Sequence, residues 1–257
     1  MRLGLVTYQL GAAWDLATVI ESCAATGFEG VELRTTHAHG VEVGLGPGER
    51  HRVRRTFADS PVELVGLETA LEYHALEPEV VRRNVEETRA YVRLAHDLGA
   101  PGVKVRPNGH HEAAGVPRAR TIEQIGRALR ECGAFAADLG VEVRLEMHAA
   151  MAGAGDVRRI MEVADHPSVA VCWNSNPVDV RDGSVGPAFE QVADRVRLVH
   201  LHDLYDPAYP YRELFGLLRR RGYSGFCCAE IDANPDPLRV MRYYRALFDA
   251  LQADESR

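Results

Sequence analysis

The chain has 257 residues, 46% hydrophobic, 26% charged and 7% aromatic, with a formal net charge of −7. That length suits two ordinary domains or one closed α/β barrel of roughly 250 residues, and either can bury a core without disulfide or metal support. No apolar run approaches the roughly 20 residues of a membrane helix. The start, Met1-Arg2-Leu3-Gly4-Leu5-Val6-Thr7, turns polar too early for a secretory leader. The acidic balance opposes a nucleic-acid surface, and Arg52-Val53-Arg54-Arg55 and Arg219-Arg220-Arg221 read as solvated helix faces. Cys23, Cys132, Cys172, Cys227 and Cys228 form no CxxC pair, so they are expected to be buried small hydrophobes in a reducing cytoplasm.

In chain order, one phrase recurs: a helix ending near Gly, a short β-rich run, then a polar residue. The runs are Leu3 to Thr7, Gly30 to Leu33, Val62 to Leu67, Gly102 to Arg106, Val141 to Leu145, Val169 to Trp173, Val196 to Leu201 and Phe226 to Ala229. A helix from about Asp15 to Thr26 stops at Gly27. A longer one, Pro78 to Leu98, carries Val81, Val85, Thr88, Val92 and Ala95 as a single apolar stripe. A last amphipathic helix runs from about Pro237 to Leu251. Eight strands alternating with helical segments imply parallel strands with right-handed crossovers, hence a (β/α)₈ TIM barrel forming a single domain over residues 1–257. An open doubly wound sheet would carry a Gly-rich phosphate loop after the first strand. Thr7-Tyr8-Gln9-Leu10-Gly11-Ala12-Ala13 is not one.

In such a barrel the site forms at the carboxyl ends of the strands. Those positions read Thr7 and Tyr8, Glu32 and Arg34, Glu68, Lys104 and Arg106, Glu146 and His148, Asn174 and Asn176, His200 and His202, and Glu230. Glu146, Asn174, His200 and Glu230 have the character of a divalent metal site for Mn²⁺, Mg²⁺, Co²⁺ or Zn²⁺, because oxygen donors with one imidazole suit these ions. The competing structural reading pairs Glu146 with Lys104 or Arg106 and makes His200 a hydrogen-bonded core histidine.

Five segments resemble the sugar phosphate isomerase/epimerase branch of the xylose-isomerase-like TIM-barrel superfamily. They are Gly27-Phe28-Glu29-Gly30-Val31-Glu32, Leu145-Glu146-Met147-His148, Val171-Cys172-Trp173-Asn174-Ser175-Asn176, Val199-His200-Leu201-His202-Asp203 and Gly222-Tyr223-Ser224-Gly225-Phe226-Cys227-Cys228-Ala229-Glu230. The resemblance covers essentially the whole length. It implies a divalent metal held by Glu146, His200 and Glu230, with Asn174 standing where the family usually has Asp. It also implies that Glu146 and Glu230 move a proton beside a carbonyl of a keto-sugar or polyol. The neutral amide at Asn174 removes one ligand charge, so weaker metal binding, or none, is expected. The same residues suit two alternatives: β-elimination, as in inositol-type dehydratases or keto-glycoside lyases, and a sugar-binding barrel without catalysis. The superfamily's DNA-repair endonucleases, with a richer ligand set, fit less well.

Substrate contacts are expected from His148, His202, Glu68, Tyr8 and Asn176. Lys104 and Arg106 either steer an anionic group or neutralise Glu68 and Glu146. His37, His39, His110 and His111 are expected on surface loops, Trp173 in packing, and His96 and His166 in structural roles. The partner is a small sugar or sugar derivative, with no nucleic acid or membrane; assembly into a homo-oligomer is left open.

Overall fold

The computed structural model describes residues 1–253. Eight parallel strands close into one barrel: β1 (Arg2–Val6), β2 (Gly30–Arg34), β3 (Glu63–Glu72), β4 (Gly102–Arg106), β5 (Glu142–Glu146), β6 (Val169–Asn174), β7 (Val196–Leu201) and β8 (Phe226–Ala229). β8 returns to pair with β1, Leu3 opposite Cys227 and Leu5 opposite Ala229. Helices α1 (Leu16–Thr26), α2 (Pro47–Ala58), α3 (Pro78–Leu98), α4 (Arg118–Ala137), α5 (Ala154–Ala164), α6 (Gly186–Phe189), α7 (Tyr211–Arg220) and α8 (Pro237–Gln252) follow the successive strands. The barrel thus runs from Arg2 to Gln252; the last four positions of the expected 1–257 unit lie outside the described residues.

Local signals explain the elements. Asp15 caps α1 by accepting the Thr18 amide at 2.8 Å, and Gly27 ends it at φ 78°. On α3, Val85, Thr88, Val92 and Ala95 are buried against the strands, as their spacing predicts. The spans of β4, β7 and β8 coincide with the expected runs. β3 is longer than its pattern suggests. Its register with β4 shifts between Glu68 and Glu72, and Thr69 Oγ1 donates to the Lys104 carbonyl at 2.7 Å. This irregularity carries the strand past Glu68 toward the mouth.

All five cysteines are free and buried, and the two arginine clusters are exposed on α2 and at the end of α7. Trp173 is buried and donates Nε1 to the Tyr209 hydroxyl at 3.0 Å. His96 and His166 bond neighbouring backbone, the Leu139 carbonyl at 2.8 Å and the Ser168 amide at 3.2 Å. One expectation fails: His39 is buried, not on the surface. Its Nε2 lies 2.7 Å from the Arg34 carbonyl and its Nδ1 accepts the Val41 amide at 3.0 Å, so both ring nitrogens tie the β2 loop to its strand.

Inside the barrel, Val6, Val65, Cys172, Leu198 and Cys228 form an apolar layer separate from the larger core under the helices. Two residues beyond Cys172, Leu198 and Cys228 come Asn174, His200 and Glu230, so strand alternation places them on the same inward face, one layer nearer the mouth. Below the apolar layer Phe226 fills space left by Gly30. A Cβ at Gly30 would lie 2.5 Å from Phe226 Cε1 and 2.6 Å from Val65 Cγ2. Gly30→Ala is therefore expected to destabilise the fold by about 1–3 kcal/mol through overpacking. Urea unfolding measures the loss, and an unchanged midpoint would contradict this account of the floor.

Candidate functional site

The polar layer is built around a buried ammonium. Lys104 Nζ on β4 donates to Glu68 Oε1 at 2.9 Å on one side and to Glu146 Oε2 at 2.6 Å on the other, with its side chain 1% exposed. Arg34 Nε adds a second cation 3.6 Å from Glu68 Oε1. Burial opposes the charge on Lys104, but Glu146 and Glu68 outweigh it and hold the ammonium above its ordinary value. Burial also opposes ionisation of Glu146, yet Lys104 and His200 together lower its carboxyl to about 2. For Glu68 burial wins, and its pKa is raised.

Beside this triad is a set of donors that converge. Glu146, His200 and Glu230 each offer one atom, all within 4.8 Å of one another. Glu32 Oε2 lies 2.6 Å from His200 Nε2, which fixes the ring and turns Nδ1 toward Glu146 Oε1 and Glu230 Oε1, each at 3.5 Å. Asn174 Nδ2 donates to Glu146 Oε1 at 2.9 Å, so its Oδ1 faces away from that carboxylate; both Asn174 Oδ1 and His200 Nδ1 are buried without a hydrogen-bond partner. Two carboxylates and an imidazole whose donor atoms converge in this way suit a divalent cation. The carboxylate behind the imidazole is the usual outer support for a metal-binding histidine. The residues fit a divalent metal.

A cavity of about 540 Å³ opens above this layer, lined by Tyr8, Glu68, Arg106, Glu146, His148, Asn174, Asn176, His202 and Glu230 among others. His202 Nε2 lies 2.9 Å from Glu230 Oε2. Burial opposes the charge on Glu230, but the adjacent imidazoles of His200 and His202 hold the carboxyl well below its usual range. His148 is oriented from behind. Asn108 Nδ2 donates to the carboxylate of Glu72, so Asn108 Oδ1 must be the atom 2.7 Å from His148 Nδ1. An amide oxygen only accepts, which places the ring proton on Nδ1 and leaves Nε2 as an acceptor. Burial holds the His148 pKa below its ordinary value, consistent with a neutral ring.

The expected residues thus divide. Tyr8, Glu68, Arg106, Glu146, His148, Asn174, Asn176, His202 and Glu230 line one cavity, Tyr8 44% exposed. His200 is fully enclosed beneath them. Lys104 does not line the cavity: its proposed contact with substrate gives way to neutralisation of Glu68 and Glu146, as the competing reading of the sequence had it. Asn176 turns its Nδ2 to the Met147 carbonyl at 2.6 Å. The roles of Glu32, Glu72 and Asn108 were not legible; Glu32 stood at a strand end, whereas Asn108 carried a turn signal only. Asp203, Asp206, Tyr209, Tyr211 and Asp232 also line the cavity.

Replacing Lys104 by Met leaves two carboxylates buried without their cation, and breaking such a pair costs about 3–5 kcal/mol. Lys104→Met should lose stability on that scale in urea unfolding, and adding Glu68→Gln should recover part of it. Equal stability of Lys104→Met and the parent would contradict the triad's role.

The family model for the xylose isomerase-like TIM barrel matches residues 20–247. By sequence, no curated protein matches the chain. Solved structures with the same architecture include 3-keto-D-glucoside 4-epimerase, YcjR, from E. coli, at 16% identity and TM-score 0.81 over 97% of this chain and 99% of that one. An L-ribulose 3-epimerase aligns at 17% identity and TM-score 0.81, covering 98% and 94%. The IOLI protein with a bound zinc atom aligns at 13% identity and TM-score 0.77, covering 98% of each. At these identities the structural likeness carries the fold alone. With the family model spanning most of the barrel, the chain belongs to the xylose isomerase-like TIM-barrel family.

Proposed function

We propose that this barrel is a metal-dependent sugar epimerase or isomerase, transferring a proton at the carbon beside the carbonyl of a keto-sugar. The observation that carries the reading is the convergence of two cavity-lining glutamates, Glu146 and Glu230, on the enclosed imidazole of His200. Membership of the family supports it, as do epimerases among the structural neighbours and the zinc bound by one of them.

Glu146, His200 and Glu230 would hold the divalent ion, with the Asn174 amide bonded to Glu146 beside them. When bound, the ion would supply Lewis-acid stabilisation of the negative charge that develops on the substrate's oxygens. One glutamate takes the α-proton from carbon as the electron pair moves into the enediolate. The other takes a proton from solvent and delivers it to that carbon from the opposite face for epimerisation, or to the neighbouring carbon for isomerisation, and the first glutamate then releases its proton to solvent. The low carboxyl pKa values that Lys104 and His202 help to impose keep both groups ionised before substrate arrives, leaving each able to accept a proton. His148 Nε2 and His202 are placed to bind hydroxyls, and Tyr8 to cover a sugar face at the rim.

The testing experiment incubates the purified protein with Mn²⁺, Co²⁺, Zn²⁺ or Mg²⁺ and a panel of keto-sugars in deuterated water. Deuterium entering the α-position is the expected result, and loss of about 10²–10⁴-fold in that exchange is expected for Glu146→Gln and for Glu230→Gln. No exchange with any sugar and metal would overturn the reading, whereas loss of water or of an aglycone would redirect it to elimination. Metal affinity gives a separate check. Asn174→Asp adds a charged ligand and should tighten Mn²⁺ binding about 10–100-fold in calorimetry, whereas Glu32→Gln should weaken it comparably.

A further inference from the structure

Most charged groups around the cavity floor have a partner. Glu68 is held by Lys104 and Arg34, Glu146 by Lys104, and Glu230 by His202. Arg106 is the exception. It lines the cavity from the end of β4, its Nε is buried with no hydrogen-bond partner, and it forms no ion pair with a described carboxylate. Glu72, its register neighbour on β3, is engaged with Asn108. A buried guanidinium donor left without an acceptor costs stability and calls for a ligand that supplies one. The opposite wall has the other sign: Asp203, Asp206 and Asp232, from the loops after β7 and β8, line the same cavity.

We propose that Arg106 binds a carboxylate on the substrate, so that the preferred substrate is a keto-sugar acid rather than a neutral or phosphorylated keto-sugar. The inference rests on the keto-sugar reading of the site. A carboxylate matches the guanidinium fork and brings one negative charge. A phosphate brings nearly two, and here it would meet one free cation with three aspartates across the cavity. The two walls also orient the molecule: the aspartates repel the acid end and accept hydrogen bonds from hydroxyls, while Arg106 and the accepting Nε2 of His148 take the carboxylate and an adjacent hydroxyl.

Three ketohexose probes that differ at C6 test this: D-fructose, D-fructuronate and D-fructose 6-phosphate. Calorimetry on the metal-loaded parent reads binding, and exchange kinetics on the same protein read KM and kcat. D-fructuronate is expected to bind about 10–100-fold more tightly than D-fructose. Arg106→Gln should abolish that preference through KM while leaving the affinity for D-fructose within about 3-fold, and Arg106→Lys should restore part of it. Circular dichroism and thermal unfolding of both variants confirm that they fold. Equal binding of D-fructose and D-fructuronate, with exchange intact, overturns the carboxylate assignment alone. Tighter binding of the phosphate also overturns it. Binding of none of the three overturns it together with the keto-sugar reading beneath it.

Discussion

The ammonium of Lys104, held between Glu68 and Glu146, is the interaction on which the rest of this structure depends. Four strand-end glutamates, at positions 32, 68, 146 and 230, reach one enclosed space, where water cannot screen their repulsion. Lys104 and His200 each bridge two of them. Glu68 and Glu146 share the ammonium, while Glu32 and Glu230 flank the imidazole. Glu146 belongs to both groups, giving Oε2 to Lys104 and Oε1 to Asn174 and the side facing His200. Its position is therefore set from two directions before any ligand arrives, which is the preorganisation that proton transfer beside a carbonyl requires.

Along each strand, stability and chemistry are separated by about two residues. Cys172, Leu198 and Cys228 close the barrel axis with small, well-packed side chains, and Asn174, His200 and Glu230 stand above them. The apolar layer keeps water from reaching the charged one from below. It also raises the penalty for any unpaired charge there, which is why most of the layer's groups are engaged with one another. Two of the unsatisfied atoms stand beside the site: His200 Nδ1, between the two glutamates, and Arg106 Nε, on a residue that lines the cavity.

Much of this was legible along the chain. Eight runs of β-rich residues, each ending on a polar side chain, gave the barrel and collected Glu146, Asn174, His200 and Glu230 at its mouth, because parallel strands with right-handed crossovers leave few other arrangements. What was not legible concerned partners. Lys104 and Arg106 have the same parity on β4 and similar chemistry, yet one is enclosed between carboxylates and the other is free. The difference arises from the lateral position of Glu68 and Glu146 on neighbouring strands, and a pattern along one strand does not report it. His39 and Asn108 were misread or passed over for a related reason: both act through loops whose path depends on what they pack against.

Composition and periodicity by themselves determined that this is one parallel α/β barrel and which side chains face its mouth, since strand alternation and crossover handedness are local rules. Tertiary structure alone decided which of those side chains pair. It assigned Glu32 to His200, Lys104 to the two glutamates and Glu72, through Asn108, to His148. It also left Arg106 uncommitted. The reason is physical: ion pairing in a closed barrel is set by distances of a few ångströms across strands far apart in sequence, where low dielectric makes each pairing decisive.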